Sequence, residues 1–509
     1  MTDFDPSQGH PRRWLILGIL NLSLVLIVAS VSSLNVAIPS IQRELGATAA
    51  ELVWINATYS LVFAGLLLPA GALGDRYGRR GALQAGLGIF VLSALMATLS
   101  SDPTQLIVLR GVMGVGAALI MPATLSIITV VFPPAERVKA IAIWSGFAGA
   151  GGALGIVGSG LLLEWFWWGS VFLVNVPIAV LAMVLVTIVV PTSKDAGQRP
   201  LDPVGSLMSI AGLVALVYGL IQGPEYGWTN GTVLSAFVAA IVLLYGWVRV
   251  ELGQRDPLLD PRLFRIRQFS VGSFGVTTGF LVMFGMFFIL TQYLQFVLGY
   301  TALEAGVRTL PFAGSMVVVA PNGPWVAARL GRAHTIALGM AMGAVGCTWL
   351  ALLGSDTGYE LIAPAIVIMA SGMALSFPAL TESIVSSLPQ NKAGVASAMN
   401  DTTREVGGAT GIALMGTLLN SGYRSGLGNV ADALPAEAAD AVNDNVGAAL
   451  SVAADGPGGE ALAQTARDAF VDGMRLSLLV GALILVVAAG VVARVFPREE
   501  AVSEVEATV

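Results

Sequence analysis

Apolar runs separated by short polar breaks recur along the whole chain. They fall at 14–37, 52–73, 81–100, 104–126, 138–163 and 167–190, then at 204–222 and 231–249. A last group falls at 270–296, 303–326, 335–354, 360–385, 393–420 and 473–496. A hydrocarbon core about 30 Å thick needs about 20 residues of helix, at about 1.5 Å of rise per residue. Each run meets that length. Lipid offers no partner to open backbone groups, and the runs are too long for barrel strands, so helices follow. The pattern predicts an all-α polytopic membrane protein with fourteen transmembrane helices.

Composition agrees. Charged residues make up 11% of the 509, against about 25% in a soluble domain, and the mean hydropathy is +0.79. The net charge of -6 hides a segregation. With the N-terminus inside, nineteen of the 26 Lys and Arg residues fall on cytoplasmic segments. Only Arg43, Arg424, Arg467 and Arg475 fall outside, and Arg110, Arg308 and Arg404 fall within spans. An odd number of spans breaks that asymmetry, so both termini are expected in the cytoplasm and the protein in the inner (plasma) membrane. Arg12 and Arg13 before an apolar run imitate a secretory leader. That run is of span length and meets Pro39 without a small-residue cleavage pattern, so it reads as the first span.

The remaining chemistry is sparse. No basic patch points to nucleic acid. Cys347 is the single cysteine, and His10 and His334 are the two histidines, which leaves no disulfide framework and no ligand set for a metal. No nucleophile–base constellation suggests an enzyme, and no cofactor is expected. The partners expected are a lipophilic small molecule, protons and the bilayer, with the chain acting as a monomer. The 421–472 segment is Ala-rich with eight acidic residues against two arginines. It is placed outside, as a solvated insert or a short helical hairpin. Ala and Gly richness with few lysines fits a bacterium with a GC-rich genome.

An internal repeat organises the chain. Shifted by 256 positions, residues 110–160 match 366–416 at sixteen of 51 positions without a gap. The matches include Met113 with Met369, Gly116 with Gly372, Pro122 with Pro378 and Pro133 with Pro389. Gly151-Gly152-Ala153 with Gly155-Ile156 recurs as Gly407-Gly408-Ala409 with Gly411-Ile412. Two related six-helix halves follow, at 14–190 and 269–496, with a helix pair and its cytoplasmic linkers at 191–268 inserted between them. Residues 1–13 and 497–509 are cytoplasmic tails. Parallel repeats of this kind place a substrate site between the halves.

The polar break after the second span reads Gly71-Ala72-Leu73-Gly74-Asp75-Arg76-Tyr77-Gly78-Arg79-Arg80. Its glycines permit a tight turn, and Asp75 with Arg76, Arg79 and Arg80 can pair across helix ends as a releasable latch. A solvated basic loop is the alternative. An echo occurs at Arg329-Leu330-Gly331-Arg332, with Ala328 where the acid falls. The segment resembles the signature of the major facilitator superfamily. Trp54-Ile55-Asn56-Ala57-Thr58-Tyr59, Phe172-Leu173-Val174-Asn175-Val176-Pro177, Leu201-Asp202-Pro203-Val204-Gly205, Gln292-Tyr293-Leu294-Gln295 and Asn400-Asp401-Thr402-Thr403-Arg404-Glu405 resemble its fourteen-helix drug:proton antiporter branch. The glycines of the fifth span, Gly146 to Gly160, resemble that branch's antiporter motif, with Ile156 and Ser159 departing from it.

The resemblance implies export of lipophilic or cationic small molecules by proton antiport. It links Arg110, a charge in the fourth span, to proton coupling; an arginine bonded to backbone carbonyls is the structural alternative. The branch's usual acids of the first two spans fall here at Ser30 and Ala57. The intramembrane acids that remain are Glu382 and the group at Asp401, with Arg404 one turn on and Glu405 beside it. Glu382 is expected to be the main proton or cation site, with Asp401 and Arg404 as switchable partners. A purely structural Asp401–Arg404 pair is the alternative. Expected cavity walls are Ser30, Asn35, Trp54, Tyr59, Met283, Phe284, Phe287, Phe288, Gln292 and Phe377, since an apolar, Met- and aromatic-rich wall with few amides suits varied amphiphiles. Two other functions compete: a facilitator or lipid or metabolite exporter with different coupling, and a non-transporting membrane sensor or scaffold.

Overall fold

A computed structural model describes residues 9–47, 49–193, 202–254, 257–428, 430–431, 434–455 and 459–496. The described residues are helical, without strands. The first half consists of α1 (Arg13–Leu45), α2 (Ala49–Tyr77), α3 (Arg79–Thr98), α4 (Pro103–Val131), α5 (Pro134–Trp165), a one-turn α6 (Ser170–Leu173) and α7 (Asn175–Val189). The inserted pair is α8 (Pro203–Tyr226) and α9 (Gly231–Gly253). The second half begins with α10 (Arg267–Gln292), which runs on through a π-helical turn at Tyr293–Val297. It continues with α11 (Ala302–Val319), α12 (Gly323–Leu330), α13 (Arg332–Ala351), α14 (Tyr359–Val385) and α15 (Ala393–Leu427). Short helices α16 (Ala436–Asp444) and α17 (Val446–Asp455) precede α18 (Gly459–Val495).

Local chemistry sets the helix starts. Asp102 accepts from Gln105 N with Pro103 at the first position of α4, and Asp202 accepts from Gly205 N with Pro203 at the first position of α8. Thr301 and Glu304 form a reciprocal capping box on α11. Gly78 (φ 118°) and Gly331 (φ 80°) both sit at the turn that starts the third helix of their half, a backbone conformation open to glycine.

Thirteen helical stretches among the described residues are long and apolar enough to cross a membrane. The fourteenth expected span is α15. Its 35 residues are ample, but Asp401, Arg404 and Glu405 make it too polar to qualify on composition. It packs along α10 and α18 and also meets α2, α4 and α8, so it stands among the spans with its charges turned inward. The stretch expected as one outer segment at 421–472 is largely helical: α15 and α18 extend into it, and α16 and α17 fill the interval. The Tyr423 hydroxyl donates to Val442 O at 2.9 Å and fixes α16 against the end of α15.

The sequence repeat is a structural repeat. Moved by 256 positions, the start of α4 falls on the start of α14, and α5 falls on α15. Pairings recur as well: α1 with α5 as α10 with α15, α3 with α4 as α13 with α14, α2 with α4 as α11 with α14, and α1 with α7 as α10 with α18. The shared glycines explain the first of these. A Cβ on Gly155 would run into the backbone of Ala29 in α1, and one on Gly411 into the backbone of Leu281 in α10. The small residues let the helices close to backbone contact. Gly411→Ala is therefore expected to lower the unfolding midpoint of the purified protein, by an overpacking cost of about 1–3 kcal/mol. Gly158→Ala, with open space around it, is expected to leave that midpoint unchanged.

The halves meet along two seams, α2 with α15, and α5 with α11 and α14. The inserted pair covers only the first. Leu61, Ala64, Ala57 and Val217 form an apolar cluster there, Trp54 lies 5.9 Å from Tyr218 of α8, and the Trp228 indole donates to Thr417 of α15 at 3.1 Å. Large exposed apolar side chains such as Ile188, Leu207, Val238 and Ile241 cover the outer faces, as a lipid-facing surface requires.

Candidate functional site

The acid of the Gly71–Arg80 segment is buried at the seam between α2 and α15. One Asp75 oxygen, Oδ1, accepts from Arg79 Nε at 2.9 Å and Nη2 at 2.8 Å. Both oxygens accept from Gly394 N at 2.9 Å, and Oδ2 also accepts from Val395 N at 3.2 Å. Gly394 and Val395 are in the first turn of α15, where backbone N–H groups lack helical partners and the helix dipole favours an anion. Arg79 then donates to Gln390 O at 2.8 Å, and the Gln390 amide donates to Thr129 O at 3.2 Å. Asp75 and Arg79 thus tie the first half to the second. Gly71 faces Gly394, and a Cβ on either would strike the other's backbone, so the crossing depends on both glycines.

Arg80 serves its own half. Arg80 donates to Thr187 O at 2.6 Å and Val190 O at 3.2 Å, the unpaired carbonyls at the end of α7. Arg76 lies over the Tyr77 ring at 5.3 Å, and Gly74 lies beside Ala82.

Deeper in the bundle, α15 carries a charged group. Arg404 Nη1 lies 3.6 Å from Asp401 Oδ1, and the Asn400 amide donates to the same oxygen at 3.2 Å. The Arg404 guanidinium lies 4.6 Å from the Phe280 ring of α10 and 5.3 Å from the Trp144 ring of α5. A cation held between rings of opposite halves is sensitive to their relative position. Glu405, its neighbour, is close enough to act electrostatically on Arg404, Asp401 and the Tyr59 hydroxyl of α2. Tyr59 in turn lies under Arg110, 4.4 Å from guanidinium to ring centroid. Arg110 is fully buried and donates through Nε to Ile55 O at 3.1 Å, while its two Nη atoms have no hydrogen-bond partner among the described residues. The order Asp401, Arg404, Glu405, Tyr59, Arg110 crosses from one half into the other.

Glu382 stands apart from that group. It is buried near the end of α14, in a small cavity whose walls include Val138, Ala327, Arg332, Thr335 and Pro378. The charges that act on it are Arg137 and Arg332, rather than those of Asp401 and Arg404. The expected exchange between Glu382 and the Asp401–Arg404 pair therefore has no counterpart in this arrangement.

The expected cavity walls divide. Phe377 stacks on Phe280 at 4.6 Å, with Phe284 5.9 Å from Phe280, so these rings gather beside Arg404. Met283 is buried on the same helix. Phe287 turns to Phe312 of α11 at 4.7 Å, and Phe288 approaches Gly416 of α15. Gln292 donates to Phe288 O at 3.2 Å. Trp54 packs on the inserted helix α8, and Ala57 belongs to the same cluster. Ser30 is buried with no partner for its hydroxyl among the described residues, and the side chain of Asn35 lies outside the described set. Phe280 and Trp144 were absent from the expected site, and Glu405 entered it only as a neighbour of Asp401 and Arg404. Glu405 and Phe280 had a signal, being next to Arg404 and one turn before Phe284; Trp144, in a glycine-rich helix, had none.

Comparison with known proteins settles the family. The model for the Major Facilitator Superfamily matches residues 20–412. The chain belongs to that superfamily. Among its relatives, the multidrug efflux pump LfrA of Mycolicibacterium smegmatis is 34% identical over 495 residues, spanning 97% of this chain and 98% of the pump. The methyl viologen resistance protein SmvA of Salmonella typhimurium is 32% identical over 483 residues, spanning 94% and 97%. The human organic anion transporter MFSD10 shares the fold, with a TM-score of 0.62 at 12% identity over 95% of this chain and all of that one. As a major facilitator, this chain is a polytopic transporter, and the Gly71–Arg80 segment makes its α2–α15 contact through Asp75 and Arg79.

Proposed function

We propose that this transporter exports lipophilic small molecules from the cytoplasm in exchange for protons, as a multidrug efflux antiporter of the plasma membrane with both termini inside. The observation that carries the reading is the buried charged group of α15, set between the halves and linked through Tyr59 to Arg110. An ionisable group at such depth is costly and marks a transport pathway. The basic ends of the helices, which include the Asp75 latch, face the cytoplasm by the positive-inside rule. The latch then holds the cytoplasmic side shut, and the central group faces outward for protonation. Protonation of Glu405 or Asp401 loosens the hold on Arg404, the rings of Phe280 and Trp144 shift against it, and the halves rock. The names of the relatives support a drug-like substrate, and the aromatic wall of Phe280, Phe284 and Phe377 suits apolar amphiphiles.

Ser30 and Ala57, in place of the branch's usual acids, favour a second reading, facilitated export without proton exchange. Everted membrane vesicles separate the two. With a panel of lipophilic dyes, wild-type vesicles are expected to accumulate at least one dye only when the interior is acidified, and to release it when nigericin collapses the gradient. Dye that equilibrates across the vesicle membrane without accumulating, whether or not a proton gradient is present, would establish the facilitator.

A further inference from the structure

The inserted helix pair carries two acids at its cytoplasmic end, away from the charged group of α15. Asp202 caps α8: its Oδ1 accepts from Gly205 N at 2.8 Å, and its Oδ2 accepts from the Gln254 amide, just beyond α9, at 2.8 Å. Glu251, in the last turn of α9, is 1% exposed, and its Oε1 accepts from the Trp247 indole at 2.9 Å. A Cβ on Gly205 would strike Asp202 Oδ2 and Glu251 Oε1 alike, so the two carboxyl groups converge over the bare Cα of that glycine. They are within hydrogen-bonding reach of each other. Glu251 Oε2 is buried with no donor to it among the described residues.

An ionised carboxylate only accepts, so a hydrogen bond between two carboxyl groups needs a proton on one of them. Like charges this close, out of water, do not both ionise. The charge that acts on Glu251 is that of Asp202, not that of Arg76 at the end of α2, Lys392 before α15, or Arg249, Arg262 and Arg265 around the end of α9. Arg249 lies 5.9 Å from the Tyr245 ring, and Arg262 donates to Leu252 O at 3.1 Å and lies 4.0 Å from Asp260. The backbone of Leu258 reaches the Glu251 carboxyl as well. Leu258 and Leu259 are buried in the apolar cluster that holds Trp247 and Phe269 of α10. The two acids thus join the start of α8, the end of α9 and the linker into the second half.

We propose that Asp202 and Glu251 form a proton-binding site separate from the transport path, a pair that shares one proton and, on losing it, releases Gln254 and Leu258 from the inserted helices. With the proton in place, the carboxyl groups bond to each other and hold the linker against α8 and α9. When the proton leaves to water, two negative charges face each other over Gly205 and push the end of α9 from the start of α8. The site is filled at low pH and emptied as pH rises. From the proposed function it takes only the orientation, in which this end faces the cytoplasm, so the pair reads cytoplasmic pH whether or not substrate is exchanged for protons.

The test uses full-length protein in lipid nanodiscs, without substrate or gradient, so a failure of proton exchange at α15 leaves its result untouched. Infrared spectra first count protonated carboxyl groups near neutral pH through their C=O stretch. Asp202→Asn and Glu251→Gln are each expected to remove the same single-proton band, and the double variant to remove no more. Persistence of that band in Asp202→Asn would show that burial alone protonates Glu251, and would overturn the shared site. Hydrogen exchange then follows the peptide that carries Leu258 and Leu259, corrected for the intrinsic effect of pH. In wild type its protection is expected to fall about tenfold between neutral and alkaline pH, the least that two groups coupled this closely imply. In Glu251→Gln, which has no second charge to expose, protection is expected to stay level. Wild-type protection that ignores pH would overturn the proposal, as would an equal fall in Glu251→Gln. If one variant does not fold, the other is read in its place, with the same outcomes.

Discussion

Replacing Asp75 by Asn is expected to abolish net export while leaving the protein folded and in the membrane. The carboxylate accepts from Arg79 twice and from the backbone of Gly394 and Val395, so four donors converge on it, the two backbone ones from across the seam. An amide keeps one oxygen acceptor, brings a donor against Gly394 N–H, and strands Arg79. Removing one partner of a buried ion pair costs about 3–5 kcal/mol. Arg79 lies in the same half as Asp75, so only the bonds that cross the seam, from Gly394 N and Val395 N and from Arg79 to Gln390 O, are specific to the closed state. At about 1.5–3 kcal/mol for a hydrogen bond to a charged group, their loss shifts the balance between closed and open states by roughly tenfold to a hundredfold. Gln390, held by Arg79 and holding Thr129, is released with it. Efflux in whole cells and the distance across the cytoplasmic end are the measurements: export at background, with the open distance dominant, is the expected pair of results. An Asp75→Asn protein that exports at the wild-type rate would show that closure does not depend on this carboxylate.

Glu405→Gln is the second large effect, and it acts on coupling rather than on closure. Exchange of one proton for one neutral substrate draws about 2.3 kcal/mol from 100 mV and about 1.4 kcal/mol from one pH unit. Together these set a ceiling of roughly 500-fold accumulation. Glutamine preserves the size of the side chain beside Arg404 and its reach toward Tyr59, but it carries no proton between the two sides. Accumulation in energised vesicles is therefore expected to fall toward unity, while downhill movement of the same dye continues. Arg404→Lys is predicted to be almost as damaging: a lysine keeps the charge near Asp401 but loses the flat cation between Phe280 and Trp144. A Glu405→Gln protein that still accumulates substrate to wild-type levels would remove this carboxylate from the cycle.

Much of this was readable from the chain. Spans declare themselves through length and hydropathy, and the 256-position repeat already placed α14 and α15 as counterparts of α4 and α5. Its glycines proved to be the positions where α5 meets α1 and α15 meets α10 at backbone distance. That Asp75 pairs at a helix junction could be read because a lone acid stands among arginines there.

What could not be read lies in contacts between distant segments. Nothing local says that Asp75 reaches Gly394 and Val395, because that contact depends on how two halves dock. The contact of Trp54 with the inserted helix α8 could not be read either, because an insertion between two repeats leaves no local mark of where it packs. Glu382 drew attention as a buried acid, and burial alone did not reveal that its charged neighbours are Arg137 and Arg332 at the helix ends. Hydropathy also undervalues α15: the polarity that weakens it as a span is the polarity that the halves enclose.

The direct test of the account is a proton count on purified protein in liposomes loaded with a pH dye. With a transported lipophilic dye concentrated inside and no initial pH gradient, outward movement of substrate is expected to acidify the lumen in step with efflux, and Glu405→Gln is expected to export without acidification. Substrate leaving wild-type liposomes with no change in luminal pH would contradict proton exchange at the α15 group.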